Sequence, residues 1–274
     1  MTSRRGETHI AVIGAGKIGE SLIGGLVSGA GLDPKRITAT ARHDERLQAV
    51  AKRFGVRTTL SNRQAARGAH LVVLAVKPQA MEEVLRDLRP VLQRAHLVVS
   101  VAASVPARFI EARLRPGVPV VRAMPNTPCL IGQGMTVVAA GRRARPEHLE
   151  EARRLFLPLG RCLVLEERHL DAVTALSASG PAYLYVVIES LAEGGVKVGL
   201  PREVATELAA QMVLGTAGMV LASGEHPAKL KDAVTTPAGC TIDGLLALEE
   251  GGLRVTLIRA VVRASRRAAE LLHG

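Results

Sequence analysis

The sequence has no tryptophan, two tyrosines and three phenylalanines. Any core must therefore be aliphatic, built from Val, Leu, Ile and Ala. The shortage also disfavours single-stranded nucleic-acid binding, which stacks bases on aromatic platforms. Cysteine is scarce too. Cys129, Cys162 and Cys240 lie far apart and form no C-x-x-C pair. That argues against a disulfide framework or a zinc site, so no metal is expected and a reducing compartment fits. No uninterrupted apolar run reaches membrane-spanning length, and no signal-peptide apolar stretch follows Arg4-Arg5. The expectation is a cytoplasmic protein with no membrane partner.

What is present is basic charge. Thirty-six Lys and Arg stand against twenty-five Asp and Glu, a formal net charge of +11. The surplus is scattered, and its tightest cluster is Arg142, Arg143 and Arg145. No dense basic face for nucleic acid emerges, so that partner is not expected. Small anionic ligands, a phosphate-rich cofactor or a carboxylate substrate, suit such a protein. The 274 residues, 47% hydrophobic and 22% charged, fit a soluble globular chain of one large domain or two modest ones.

From His9 to about Leu165, short Val- and Ile-rich runs alternate with helical stretches. The runs are His9–Ile13, Ile37–Ala41, Val56–Leu60, Leu71–Val76, Leu97–Val101, Val118–Ala123 and Met135–Ala139. Most lack polar alternation, which suits parallel strands buried on both faces. Segments such as Glu45–Phe54 and Met81–Leu88 read as helices. The class is α/β, a Rossmann-type doubly wound sheet. After about Glu166 no strand is expected. Leu184, Val187, Ile188 and Leu191 share one helical face, as do Leu208, Met212, Gly215 and Met219, and Val255, Ile258, Val262, Ala269 and Leu272. Pro181, Pro201, Pro227 and Pro237 fit helix starts or the loops before them. The expected division is a dinucleotide-binding domain, 1–166, and an all-helical domain, 167–274.

Gly14-Ala15-Gly16-Lys17-Ile18-Gly19 follows the first strand and opens an apolar helix. G-x-G-x-x-G alone is weak, but inside a βαβ unit it is a strong dinucleotide signal. Gly14 permits the tight turn, Gly16 the approach of a pyrophosphate, and Gly19 close helix–strand packing. The second strand usually ends in an acid that bonds the ribose 2′-hydroxyl. Here it ends Thr40-Ala41-Arg42-His43. A guanidinium suits a 2′-phosphate, which favours NADPH and leaves NADH possible. A plain surface arginine is the alternative, since Asp44 and Glu45 follow.

In open α/β sheets ligands sit beyond the carboxyl ends of the strands. Three later strand ends are informative: Ala75-Val76-Lys77-Pro78, Ser100-Val101-Ala102-Ala103-Ser104 and Ala123-Met124-Pro125-Asn126-Thr127-Pro128. Lys77 faces either the cofactor or bulk solvent. The most unusual stretch is Lys231–Ile242, where small and hydroxyl residues lead into a helix over Ile242–Glu250. Free N–H groups from Ala238 to Thr241 would make a carboxylate site. The alternative is an ordinary cap by Thr236 or Thr241.

Nearly end to end, the chain resembles the pyrroline-5-carboxylate reductases. The markers are Gly14–Gly19, Ala75–Pro78, Met124–Pro128, Ser179-Gly180-Pro181-Ala182-Tyr183, Gly224-Glu225-His226-Pro227 and Val234–Leu248. It departs from the family's habit at Ala238 and Ala178, where glycine is common, at Cys240, often Thr, and at Thr236, often Ser. These small-for-small changes bear on the pocket's shape.

The resemblance implies NADPH-dependent reduction of 1-pyrroline-5-carboxylate to L-proline, the last step of proline biosynthesis. It implies cofactor contacts at Gly14, Ala15, Gly16, Lys17, Ile18, Gly19, Arg42, Asn62, Ala75, Val76, Lys77, Pro78, Ala102 and Ala103. Substrate contacts fall at Asn126, Thr236, Ala238, Gly239, Cys240 and Thr241. The Thr241 hydroxyl is expected at the ring nitrogen, with the N–H groups of Gly239, Cys240 and Thr241 on the carboxylate. It also implies a dimer through the helical domain, and dimers assembled into a ring. Rival readings are a reductase of another cyclic imine carboxylate, a β-hydroxyacid dehydrogenase and a non-catalytic NADP-binding protein. The second wants a catalytic lysine early in the first helix of the helical domain, and Lys197 falls near that helix's end.

Overall fold

The structure, a computed structural model, describes residues 9–237 and 239–270. They form two compact units. The first comprises residues 9–179 together with 264–270, and the second residues 180–263.

The first unit alternates strands and helices: β1 (Ile10–Ile13), α1 (Lys17–Gly24), β2 (Ile37–Thr40), α2 (Asp44–Phe54), β3 (Arg57–Thr59), α3 (Asn62–Arg67), β4 (Leu71–Leu74), α4 (Met81–Leu88), β5 (Leu97–Ser100), α5 (Ala107–Arg113), β6 (Val120–Met124), β7 (Gly134–Ala140), α6 (Pro146–Phe156), β8 (Gly160–Val164) and α7 (Leu170–Val173). The sheet has eight strands in the order β3-β2-β1-β4-β5-β6-β7-β8. Alternate residues of β1 divide between two cores. Ile10 and Val12 pack with Leu22, Ile23 and Phe156 on one face. Ala11 and Ile13 pack with Met81, Leu85 and Leu92 on the other. Each large aliphatic side chain buried this way contributes about 1.5–3 kcal/mol.

The sequence pattern is corrected at three places. Strands β1 to β6 are parallel, but β7 runs antiparallel to β6. The connection is nine residues, 125–133, holding only the 3-10 turn Thr127–Ile131. A parallel return needs a crossover of about a dozen residues or more, so the chain turns back instead. An eighth strand, β8, is also present and pairs parallel to β7 across the crossover helix α6. It escapes a pattern search because only Cys162 of its five residues is buried. The expected strand over Val56–Leu60 forms as β3, yet its three residues are exposed or half-buried. It is the sheet's edge, not a strand buried on both faces.

The second unit holds α8 (Gly180–Lys197), α9 (Arg202–Ser223), α10 (Pro227–Ala233), α11 (Cys240–Glu250) and most of α12 (Leu253–Glu270). Pro201 is the N-cap of α9, and Pro227 opens α10, where a missing N–H is harmless. The buried core of this unit is Ala192, Ala205 and Ala209, with Ile188 and Val196 packed against it. Large apolar side chains lie outside it, with Leu208 55% and Met219 59% exposed. Among the described residues α9 alone is long and apolar enough to cross a membrane by length and composition.

All three cysteines are free. Cys129 and Cys162 are buried and Cys240 is exposed. Burial pushes the Cys162 thiol up to about 11, so it stays protonated.

Candidate functional site

Strand β1 lies between β2 and β4, so the chain's crossovers part at its carboxyl end. Such a switch point opens a crevice in doubly wound sheets. The glycine loop sits there. Gly14 adopts φ +99°, and a Cβ on it would lie 2.8 Å from Val76 Cγ1 and 2.9 Å from the Ala75 carbonyl oxygen. Gly19 packs so closely that a side chain would strike the Gly14 carbonyl oxygen. Gly16 differs: a Cβ there would meet nothing within 4 Å. Its lack of a side chain is not needed for packing, and the space in front of it suits a pyrophosphate. The N-cap of α1 is Gly16 itself, with no side-chain capping bond. No capping side chain therefore competes for the first N–H groups of that helix, which are the kind of donors an anion can use.

Thr40, buried at the end of β2, organises the loop. Its carbonyl accepts the Gly14 N–H at 3.1 Å and the Ala15 N–H at 2.7 Å. Its hydroxyl accepts from Gly14 N at 3.3 Å and donates to Asn62 Oδ1 at 2.7 Å. A cavity of about 520 Å³ opens beside this network. Its lining brings together Gly14, Arg42, Asn62 and Val76, all expected from the sequence. Thr40, Leu60, Arg63, Glu83, Arg86 and Asp87 also line it and were not singled out in the sequence. Glu83 and its neighbour Glu82 lie in the first turn of α4, where acids are common. Arg42 NH2 lies 3.5 Å from Glu83 Oε2, and Arg63 Nε lies 2.7 Å from Asp87 Oδ1.

The other expected cofactor residues do not line this cavity. Ala15 is buried, while Lys17 and Ile18 are exposed on the first turn of α1. Ala75 donates its N–H to Ile13 O at 2.8 Å, which fixes the β4 end beside the loop. Lys77 is exposed and caps the 3-10 turn that Pro78 begins. Ala102 and Ala103 follow β5, and Ala103 packs against the Met124–Leu170 cluster.

Asn126 is expected at the substrate. In the structure its side chain braces a turn: Nδ2 donates to Ser177 O at 3.3 Å and to Ser177 Oγ at 3.4 Å, and Oδ1 accepts from Met135 N at 2.9 Å. It joins the end of β6 to β7 and to the helical turn at Thr174–Ala178.

In the second unit, α11 begins at Cys240, two residues earlier than the sequence suggested. Its N-cap is Gly239, in extended conformation and with no side-chain capping bond. Neither threonine therefore caps this helix. The Gly239 N–H donates to the Thr236 carbonyl at 3.1 Å. It is not among the free donors the sequence led us to expect. Cys240 and Thr241 occupy the first two helical positions, whose N–H groups have no acceptor within a helix. Thr236 Oγ1 sits over Gly239 so closely that a Cβ would collide with it. Thr236 is exposed, Thr241 half-buried, and Ala238 lies outside the described residues.

Among the described residues no group of three or more His, Cys, Asp or Glu side chains is placed to hold a metal ion.

Comparison with known proteins covers both units. The family described as "Pyrroline-5-carboxylate reductase dimerisation" matches residues 167–271, and "NADP oxidoreductase coenzyme F420-dependent" matches residues 9–104. The pyrroline-5-carboxylate reductase of Methanosarcina acetivorans is 41% identical over 262 residues, covering 96% of this chain and 97% of the relative. That of Corynebacterium melassecola is 42% identical over 267 residues, covering 96% and 98%. Among solved structures, a pyrroline-5-carboxylate reductase from Coxiella burnetii superposes with a TM-score of 0.89 at 36% identity, covering 96% of this chain and 98% of that one. A pyrroline carboxylate reductase from Plasmodium falciparum with NADP bound gives 0.88 at 28% identity, covering 97% and 98%.

Proposed function

The chain belongs to the pyrroline-5-carboxylate reductase family, and from that premise we propose how its residues carry out the reaction. It is an NADPH-dependent reductase that converts 1-pyrroline-5-carboxylate to proline, the closing step of proline biosynthesis. The observation that carries the reading is the reach of the similarity: it spans both the glycine-loop cavity and the Val234–Leu248 segment.

The cavity beside Gly14 fits a dinucleotide. It is large enough for an adenosine, it is lined by Gly14 at the start of the glycine loop, and further along that loop Gly16 leaves open the space a phosphate needs. We assign Gly14 to Gly19 to the pyrophosphate, Arg42 to the 2′-phosphate and Asn62 to the adenosine ribose. Ala75 to Pro78, Ala102 and Ala103 complete the contacts along the β4 and β5 ends. Thr40 positions both the loop and Asn62. NADPH, when bound, supplies the hydride that adds to the C=N carbon.

The chain's own task is to hold the imine. The Thr241 hydroxyl accepts a bond from the protonated ring nitrogen, and that proton stays on nitrogen as the imine becomes an amine. The N–H groups of Cys240 and Thr241 hold the carboxylate. Gly239 shapes the segment, its own N–H being given to Thr236. Thr236 and Ala238 border the same site. Asn126 acts as a positioning residue through Ser177 and Met135. No strong base is required, since the proton is already on the substrate. Holding the ring at near-attack distance supplies the rate.

The dimerisation family match supports self-association through the helical segment. We propose that residues 1–166 bind cofactor and 167–274 bind substrate and dimerise, that dimers join into a ring, and that the enzyme works in the cytoplasm. The apolar face of α9 is then for a second copy, not for lipid.

The test is NADPH oxidation by purified protein with pyrroline-5-carboxylate, beside NADH and a six-membered cyclic imine. Turnover with the five-membered imine alone supports the substrate assignment. Faster turnover of the larger ring moves the enzyme to another cyclic imine carboxylate, and no turnover with either rejects the enzyme reading.

A further inference from the structure

The end of β2 lacks the acid that ordinarily receives a ribose 2′-hydroxyl, and Arg42 stands there instead. We infer that Glu83, from α4 in the lining of the same cavity, supplies that missing carboxylate and sets the enzyme's choice between NADH and NADPH. The inference rests on the assignment of this cavity to the adenosine end of the cofactor.

Arg42 NH2 and Glu83 Oε2 lie 3.5 Å apart at the cavity rim, with side chains 72% and 75% exposed. An ion pair so open to water is weak, and both side chains can leave it at little cost. The two groups recognise opposite chemistry. A guanidinium receives a phosphate dianion, and a carboxylate accepts the O–H of a free ribose hydroxyl but repels a phosphate. A 2′-phosphate entering here must take Arg42 from Glu83 and tolerate the carboxylate beside it. A 2′-hydroxyl finds an acceptor in Glu83 and leaves the pair intact. Glu83 therefore favours NADH and restrains NADPH, while Arg42 does the reverse. One rim thus serves both cofactors. The second pair on the wall, Arg63 with Asp87, is closer at 2.7 Å and is reinforced by a bond from Arg63 Nε to the Asp87 carbonyl at 2.9 Å. It is the firmer of the two and not the selector.

The experiment is a steady-state comparison of NADH and NADPH for Glu83→Gln, Arg42→Ala and the double variant. It is paired with direct titration of each cofactor by its own nicotinamide fluorescence. For Glu83→Gln we expect NADH kcat/KM and affinity to fall about tenfold, the scale of a hydrogen bond to a charged group, and NADPH affinity to rise severalfold. Arg42→Ala should weaken NADPH selectively, and the double variant should be non-additive because the two side chains meet. If Arg42→Ala weakens NADPH but Glu83→Gln leaves NADH unchanged, the role of Glu83 is overturned and the cavity assignment stands. If both variants are silent toward both cofactors, the cavity assignment and the selector fall together. Both side chains are exposed, so neither variant should disturb folding.

Discussion

The Ser104 hydroxyl donates to the carbonyl oxygen of Ala268 at 2.9 Å, across 164 positions of sequence. Ser104 is also the one described non-glycine residue at positive φ, +61°, and it is buried. It follows directly on Ala102 and Ala103, so the bond ties a loop assigned to the cofactor to the last turn of α12. A left-handed non-glycine residue costs roughly 1–2 kcal/mol, which glycine would avoid. Ser104→Ala should lose the bond and keep the strain, destabilising the protein by roughly 1–3 kcal/mol. Ser104→Gly loses the bond but relaxes the backbone and should be the milder change. Urea unfolding midpoints decide it; a Ser104→Ala protein as stable as the parent would remove the tether's importance.

The glycines of the loop should separate by consequence. Gly14→Ala places a methyl group against Val76 and the Ala75 carbonyl at positive φ, so thermal stability should fall. Gly16→Ala meets no protein atom, so stability should hold while NADPH affinity drops about tenfold or more. Melting curves and cofactor titrations read the two effects independently. Equal affinity in Gly16→Ala would remove the pyrophosphate from this loop.

Thr241→Ala should lower kcat/KM for pyrroline-5-carboxylate by about ten- to a hundredfold, leaving the KM for NADPH near its parent value. Thr241→Ser keeps the hydroxyl and should retain most of the activity. Full activity in Thr241→Ala would end the proposed role of that hydroxyl.

Arg122 is buried on β6, and its NH1 meets Glu167 Oε1 at 3.0 Å. The same carboxylate oxygen accepts the Ala107 N–H at the start of α5, at 2.6 Å. Arg122 Nε and NH2 are buried without a partner. Removing the acid alone leaves a buried cation, and Glu167→Ala should cost about 3–5 kcal/mol. Adding Arg122→Met should recover part of that loss. Chemical denaturation of the single and double variants measures it, and strict additivity would show that the pair is not coupled.

The sheet was legible where its residues are buried on both faces. Ile10–Ile13, Leu71–Leu74 and Leu97–Ser100 announce themselves by unbroken apolar runs. Of the two edges, β3 was legible as Val56–Leu60 and β8 was not: β8 buries only Cys162, and pairing there is decided by the neighbour strand more than by its own composition. The reversal of β7 was written in a length, the short stretch from Pro125 to Gln133, and not in any residue type. At the site, Gly14, Arg42, Asn62 and Val76 could be named because strand ends and glycine spacing are local signals. Thr40, Glu83 and Asp87 could not, since their importance comes from the partner that folding brings to them. The Gly239 N–H shows the opposite fault. Sequence counted it as a free donor, and a turn to Thr236 uses it.

The three-alanine core of the second unit has a consequence for how the enzyme's robustness is to be understood. So small an interior cannot offset the entropy of ordering five helices in water. In the proposed dimer part of the fold's free energy comes from the neighbouring copy, and mass action then enters the definition of the native state. Such a chain has no single melting temperature: crowding it with its own kind hardens it, and dilution acts on it as a denaturant would.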